Sequence, residues 1–480
     1  MGALGVRRVA ELMTQAGLQP IELERYSRSN KIWQTKVKRL RLPDLLCVRT
    51  GLRMEVRAKS KLAIKMSDAP TNPDRRWNSG LAAGDMIAFV LIRETENGVL
   101  RAAGNVELFW VEDLAATETL SKLGPPKSAS EGAERDREWP STVATSDGVV
   151  LSLADGRLAT RLESGRNQTY QLRTKTAYFA PGQRFVAESE FLAGIPARKA
   201  AFPNPREVHW NPRDLLSSQS PMNRYVAVKA LGALGGASDV TAITQIAEHD
   251  QEGRVALEAC VALARLGKQR GLELLRIAVE KPAIEFLRME SILAFSELGG
   301  TPLASECAQV LAELARSEKF AGDEIRQAAI WGLGKDGLHN YGELVHFLDS
   351  ESEDERVHAT CAFGADGGPS IADSLVAAMT DPASTDRRRA SASFILARII
   401  PPEISAPRAV AAVASPDLRA SNWALATLGQ MNPASVRRHV NSPALAARLE
   451  PLHLLSPETN WTRSEQLMEN LAFVSKQSVV

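Results

Sequence analysis

Cysteine is scarce in this 480-residue chain. Cys47, Cys260, Cys307 and Cys361 stand far apart, with no CxxC pair among them. That spacing excludes a zinc ribbon and a disulfide framework and suits a reducing, cytoplasmic setting. No apolar run approaches the roughly 18 residues of a membrane-spanning helix. The opening residues, MGALGVRRVAEL, lack a long apolar stretch and reach Glu11 early, so a signal peptide is not expected. Histidine does not occur before His209, which excludes an HNH site or a histidine-assisted hydrolase in the N-terminal part. No GxxxxGK[ST] loop and no GxSxG elbow occur. Nucleotide hydrolysis and an α/β-hydrolase nucleophile therefore have no sequence support.

What is present is apolar enough, at 44%, to exclude wholesale disorder. Charge nearly cancels, with 58 Lys+Arg against 57 Asp+Glu, but its distribution is uneven. Residues 1–70 hold fifteen basic and six acidic side chains, a local charge of +9, which leaves −8 for the rest. A compact cationic module suits a polyanion, and DNA is the expected partner. The plainer alternative is a solvated basic face without a partner.

Composition divides the chain into a basic α/β domain at 1–115, a polar linker at 116–138, a β-rich domain and connector at 139–213, a helical repeat region at 214–445 and a C-terminal cap or tail at 446–480. The linker reading rests on SKLGPPKSASEGAERDRE, with two prolines and mixed charge. Alternating apolar and polar residues, punctuated by Asp147–Gly148, Asp155–Gly156 and Pro181–Gly182, predict the β-rich segment.

The helical part repeats. A pattern A-x-x-A-L-x-x-L-G starts at Ala227, Ala259, Ser291, Ala329, Ala359, Ala390 and Ser421. Such a period predicts a stack of about seven helix pairs. Small residues three apart let helices approach closely, and the glycine predicts a left-handed cap. The pattern resembles short HEAT repeats. An arginine precedes the first small position by three residues at Arg224, Arg288, Arg326, Arg356 and Arg387; the resemblance implies that it binds neighbouring backbone and acids to hold the stack. The amphipathic TRSEQLMENLAFV is expected to cover the last repeat.

The chemistry is concentrated in LRLPDLLCVRTGLRMEVRAKSK, residues 40–61. Two short strands flank an Arg-Thr-Gly turn, with Asp44 at the start of the first and Glu55 inside the second. A carboxylate among strand-forming neighbours is costly to bury unpaired, and two of them across a hairpin can share a divalent metal.

This arrangement resembles the PD-(D/E)XK nuclease superfamily, in its Holliday-junction-resolvase-like branch. Pro43–Asp44 match the PD and Glu55 the second acid. The element order resembles the αβββαβ core: a helix at Gly5–Gln15, the strand PIELERY, the Asp44 and Glu55 strands, a helix near Arg75–Ala83 and the strand MIAFVLI. The resemblance implies a fold class of multidomain α+β, with a restriction-endonuclease-like domain, a β-rich middle domain and a HEAT-type α-solenoid. It implies catalytic roles for Asp44, Glu55, Arg57 and Lys59. Magnesium or manganese would be held by Asp44, Glu55 and Glu11, with Glu22 and Glu24 as fallbacks. Arg57 departs from the pattern, standing where the family has lysine. It remains protonated and so cannot serve as a proton-transferring base, whereas Lys59 lies one alternation further along the strand. The expected nucleic-acid contacts are Arg28, Lys31, Trp33, Lys36, Lys38, Arg39, Arg41 and Lys61, with Trp33 stacking on bases. Two functions follow: a metal-dependent DNA endonuclease whose solenoid docks a partner or substrate, or a non-catalytic DNA-binding adaptor with a degenerate site. A HEAT-like glycosylase fits less well, because the solenoid has few aromatics and the basic charge lies elsewhere.

Overall fold

The computed structural model describes residues 1–23, 33, 35, 40–69, 76–94, 100–117, 120–123, 135–196, 198–364 and 368–455. They form two units. One comprises residues 1–25 and 39–234; the other comprises residues 26–38 and the chain from Gly235 onward.

The first unit opens with α1 (Gly2–Gln15) and a five-stranded sheet. Its strands are β1 (Pro20–Glu22), β2 (Leu45–Cys47), β3 (Arg53–Lys59), β5 (Met86–Glu94) and β6 (Leu100–Trp110), in that spatial order, while β4 (Lys65–Asp68) leaves for another sheet. β1, β2 and β3 form an antiparallel meander, β3 and β5 run parallel, and β6 returns antiparallel. Val6, Val9, Ala10 and Met13 of α1 pack on Met54, Val56, Ala88 and Val90. On the opposite face Ile87 and Phe89 meet Ile64, Trp77, Phe109, Trp139 and Phe191. β5 is thus covered on both sides, which is why MIAFVLI reads as a continuous apolar run.

Two expectations change here. The helix near Arg75–Ala83 does not form among the described residues, since residues 76–84 run as turns. The stretch read as a linker carries strands at both ends. After the short α2 (Val111–Ala115), β7 (Leu120–Leu123) and β8 (Arg135–Glu138) join β4 in a three-stranded sheet ordered β4-β8-β7. Backbone pairing recruits these polar residues, and a hydropathy pattern does not register it.

The β-rich part adds β9 (Ser141–Val143), β10 (Gly148–Ala154), β11 (Arg157–Leu162), β12 (Asn167–Gln171), β13 (Thr176–Ala177), β14 (Arg184–Phe185) and β15 (Phe191–Gly194). They make one sheet ordered β12-β11-β10-β14 and another ordered β13-β15-β9. Asp155 and Gly156 both have positive φ, the conformation that a tight two-residue hairpin requires. Because Trp139 and Phe191 pack against the first sheet's outer face, this part shares a unit with the α/β region. α3 (Pro221–Leu234), expected as the first repeat helix, also belongs here: its Val226 and Ala230 cluster with Leu23, Leu46 and Val48.

The second unit holds fourteen helices among its described residues: α4 (Val240–His249), α5 (Gly253–Arg265), α6 (Gln269–Glu280), α7 (Glu285–Phe295), α8 (Ala304–Arg316), α9 (Glu324–Gly332), α10 (Tyr341–Phe347), α11 (Glu353–Ala362), α12 (Gly368–Thr380), α13 (Asp386–Arg398), α14 (Pro402–Ala412), α15 (Leu418–Gln430), α16 (Pro433–Arg437) and α17 (Pro443–Leu455). The odd-numbered helices from α5 to α17 stack in series, each with an even-numbered partner before the next, as in a solenoid. α17 crosses the boundary expected at 445 and places Leu449 in the last apolar cluster. TRSEQLMENLAFV lies outside the described residues.

Burial corrects the repeat register in two copies. Ala390 and Arg387 are exposed, whereas Ala392 and Arg389 are fully buried. In the last copy Ala424 is fully buried and stands six residues past the start of its helix, as Ala392 does, whereas Ser421 stands three past it. The repeat therefore starts at Ala227, Ala259, Ser291, Ala329, Ala359, Ala392 and Ala424, each on the inner side of its helix. Arg389, not Arg387, is the arginine of the sixth copy. Three of these arginines bind the loops preceding their helices, while Arg288 Nη1 lies 3.3 Å from Glu285 at the start of its own helix. Arg224 Nη1 donates to the Ser218 carbonyl at 2.8 Å, Arg356 Nη1 to Ser350 at 2.7 Å, and Arg389 Nη2 to Asp381 at 2.6 Å. Arg326 instead reaches the next repeat, 3.2 Å from the Glu355 carboxylate. Left-handed caps form at Gly235, Gly267 and Gly337; in the third copy Gly300 takes that role. Gly299 is a close-approach residue, where a Cβ would overlap the Asp336 carbonyl.

Candidate nucleic-acid interface and nuclease-like site

The β2–β3 hairpin turns at Gly51, whose φ of +70° suits glycine. Leu45 pairs with Met54 and Leu46 with Arg53, so one further step of the register sets Asp44 across from Glu55. Asp44 lies just outside the strand, and its Oδ2 accepts the Val56 N–H at 2.7 Å. Along β3, Met54 and Val56 face α1, which by alternation turns Glu55, Arg57 and Lys59 to the opposite face. There Arg57 Nη2 lies 3.1 Å from Glu55 Oε1. Lys59 Nζ donates to the Lys65 carbonyl at 2.6 Å.

Glu11 is not brought to this row. It is an exposed residue of α1, 3.7 Å from Arg8, and α1 covers the other face of the sheet. Its expected place in a metal shell is corrected accordingly. Glu22 sits in β1 across from Leu45, and Glu24 lies outside the described residues. A magnesium or manganese ion asks for several oxygen ligands of preset geometry. Among the described residues no group of three or more acidic, histidine or cysteine side chains is placed to hold one. With one Asp44 oxygen engaged by a backbone N–H and one Glu55 oxygen by a guanidinium, the residues present do not fit a preformed metal centre.

Of the expected nucleic-acid contacts, Arg41 and Lys61 are exposed. Arg28, Lys31, Lys36, Lys38 and Arg39 lie outside the described residues. Trp33 is corrected: it is 1% exposed and unavailable to stack on a base. Its ring stacks on His358, with centroids 5.0 Å apart and planes at 18°, and meets Trp331 edge-on at 6.3 Å. Two residues on, the Thr35 N–H donates to Glu324 Oε2 at 2.8 Å.

This cluster was not legible as a site. The only sequence signal was a lone tryptophan in a polar, basic stretch. Lys335 Nζ lies 3.7 Å from the centroid of the Trp331 ring, and burial pulls its pKa down to about 7. His358 Nδ1 lies 2.6 Å from the Asp354 carbonyl, so that nitrogen carries the proton. Its Nε2 makes no hydrogen bond among the described residues. Burial lowers the His358 pKa, against a smaller opposing effect of that carbonyl, so the ring is neutral at pH 7.

No family model matches the chain, and no curated protein is matched. Solved structures similar to it include human deoxyhypusine hydroxylase, 18% identical over 51% of this chain and 94% of that one, with a TM-score of 0.21. The phycocyanin lyase complex from Nostoc is 18% identical over 54% and 99%, with a TM-score of 0.26. A structure from work on microtubule plus-end tracking is 15% identical over 54% and 95%, with a TM-score of 0.14. These are helical-repeat proteins, and none is a nuclease. At such scores they add no argument of their own, and the solenoid rests on the chain's own helix contacts. No helix among the described residues is long and apolar enough to cross a membrane.

Proposed function

We propose that the chain is a binding protein: a basic N-terminal unit for DNA joined to a helical stack that engages a protein. The observation that supports a non-catalytic reading is the Arg57–Glu55 ion pair. The residue that departs from the nuclease pattern occupies the carboxylate that would otherwise face a metal. Its guanidinium competes with any metal for Glu55. The excess of cations over residues 1–70 supports a DNA partner, because phosphate contacts and counterion release need charge rather than a shaped pocket.

The test is one titration and one incubation. Fluorescence anisotropy with duplex and branched DNA should show binding that weakens steeply with salt. Incubation of the same DNAs and of plasmid with the chain, in magnesium, manganese or chelator, should leave them intact. Metal-dependent cleavage that is lost in both Asp44→Ala and Glu55→Ala would establish the endonuclease instead. Absence of binding at low salt would remove the DNA partner.

A further inference from the structure

The cluster around Trp33 has no part in that reading. Residues 26–38, YSRSNKIWQTKVK, carry four cations, no acid and one tryptophan. Such a segment has too little apolar surface to build a core of its own. It nevertheless counts with the helical unit, and its indole is almost wholly buried. Trp33 and Thr35 meet two consecutive inner helices: Glu324 and Trp331 of α9, and His358 of α11.

These helices offer what a peptide ligand needs. One anchor is received by the stacked His358 ring on its face and by Trp331 at its edge, and such anchors dominate the energetics of small interfaces. A carboxylate receives a backbone N–H from the segment, a charge-assisted bond independent of the side chain at that position. The rim is acidic: Asp323 caps α9, Glu324 begins it, and Glu353 and Asp354 are exposed in the first turn of α11. That charge complements the four cations of residues 26–38.

We propose that the face formed by α9 and α11 is a peptide-recognition site for a basic segment centred on an indole, and that the chain's own Trp33, with Thr35, is its resident ligand. The proposal goes beyond DNA binding and fails separately from it, since one is read with DNA and the other with a peptide. An outside peptide of the same chemistry must compete with a tethered ligand, so its apparent affinity is reduced by the fraction of chains whose site is filled.

The experiment uses a fluorescein-labelled peptide of residues 24–40, titrated at low salt against the full wild-type chain and against Trp33→Ala, with folding checked by circular dichroism. Trp33→Ala should bind the peptide roughly tenfold or more tighter than wild type, whose site is occupied. A peptide carrying the same Trp33→Ala change should not bind. Glu324→Gln, added to the Trp33→Ala chain, should weaken binding severalfold. A folded Trp33→Ala chain that binds no better than wild type, or that takes the tryptophan-free peptide equally well, overturns the proposal. A Trp33→Ala chain that loses its cooperative melt also overturns it, because the indole is then a core residue. A wild-type dimer in size exclusion that the peptide separates into monomers assigns the ligand to a second copy and overturns the same-chain assignment.

Discussion

Arg57 Nη2 and Glu55 Oε1 lie 3.1 Å apart on one strand, with only Val56 between them in sequence. The Arg57 side chain is 38% exposed, so the pair contributes little to stability, roughly 0–1 kcal/mol. Its consequence is that the guanidinium is held by a carboxylate. Glu55→Gln should leave the melting temperature nearly unchanged and tighten duplex binding, with a steeper salt dependence as Arg57 becomes available to phosphate. Anisotropy titrations at several salt concentrations measure both. Unchanged affinity and slope would show that DNA does not reach this face.

Arg41 and Lys61 are the exposed cations of the expected DNA surface within the described residues. Arg41→Glu and Lys61→Glu should each weaken DNA binding independently of sequence. Each should lower the salt slope by about one unit. Full affinity in the double variant would move the interface elsewhere.

Lys335 is buried against Trp331 and its pKa falls to about 7, with Asp336 opposing the shift weakly. Burial outweighs the favourable ring contact. In the unfolded chain the same lysine titrates near ~10.4. Between these values the unfolded state binds more protons, so this residue makes stability rise with pH from about 7 towards 10, while below 7 its cost is constant. Lys335→Met should therefore melt higher than wild type at pH 7 and below. The gap should close as pH approaches 10. Thermal melts of both chains across that range measure it, and a gap independent of pH would place the charge of Lys335 in solvent.

Arg389 is fully buried and binds the Asp381 carbonyl, whereas Arg387 two residues earlier is exposed. Arg389→Ala removes packing and leaves a carbonyl without its donor, which should cost about 2–4 kcal/mol. Arg387→Ala should stay within about 0.5 kcal/mol. Chemical denaturation of the two variants distinguishes the register described here from the one starting at Ala390.

Much of this architecture was legible in local pattern. Helix pairs announce themselves through small residues at helical spacing, because an inner helix admits only small side chains where it crosses its neighbour. The Asp155–Gly156 hairpin and the β5 run were readable for the same kind of reason: backbone conformation and two-sided burial constrain residue type locally. The solenoid's sixth register was not, since Ala390 and Ala392 are equally small and only burial distinguishes them. β7 and β8 were hidden because backbone pairing alone makes them strands.

The nuclease-like stretch shows the same division. The sequence by itself determined that Asp44 and Glu55 flank a hairpin and that Arg57 follows Glu55 on the same side, because strand alternation has a period of two. Tertiary structure decided that α1 covers the other face, which removes Glu11, and that Trp33 is buried on α9 and α11. No local rule determines either outcome. Which face a helix covers, and which distant surface buries a lone indole, depend on apolar area that becomes available only once the whole chain has packed.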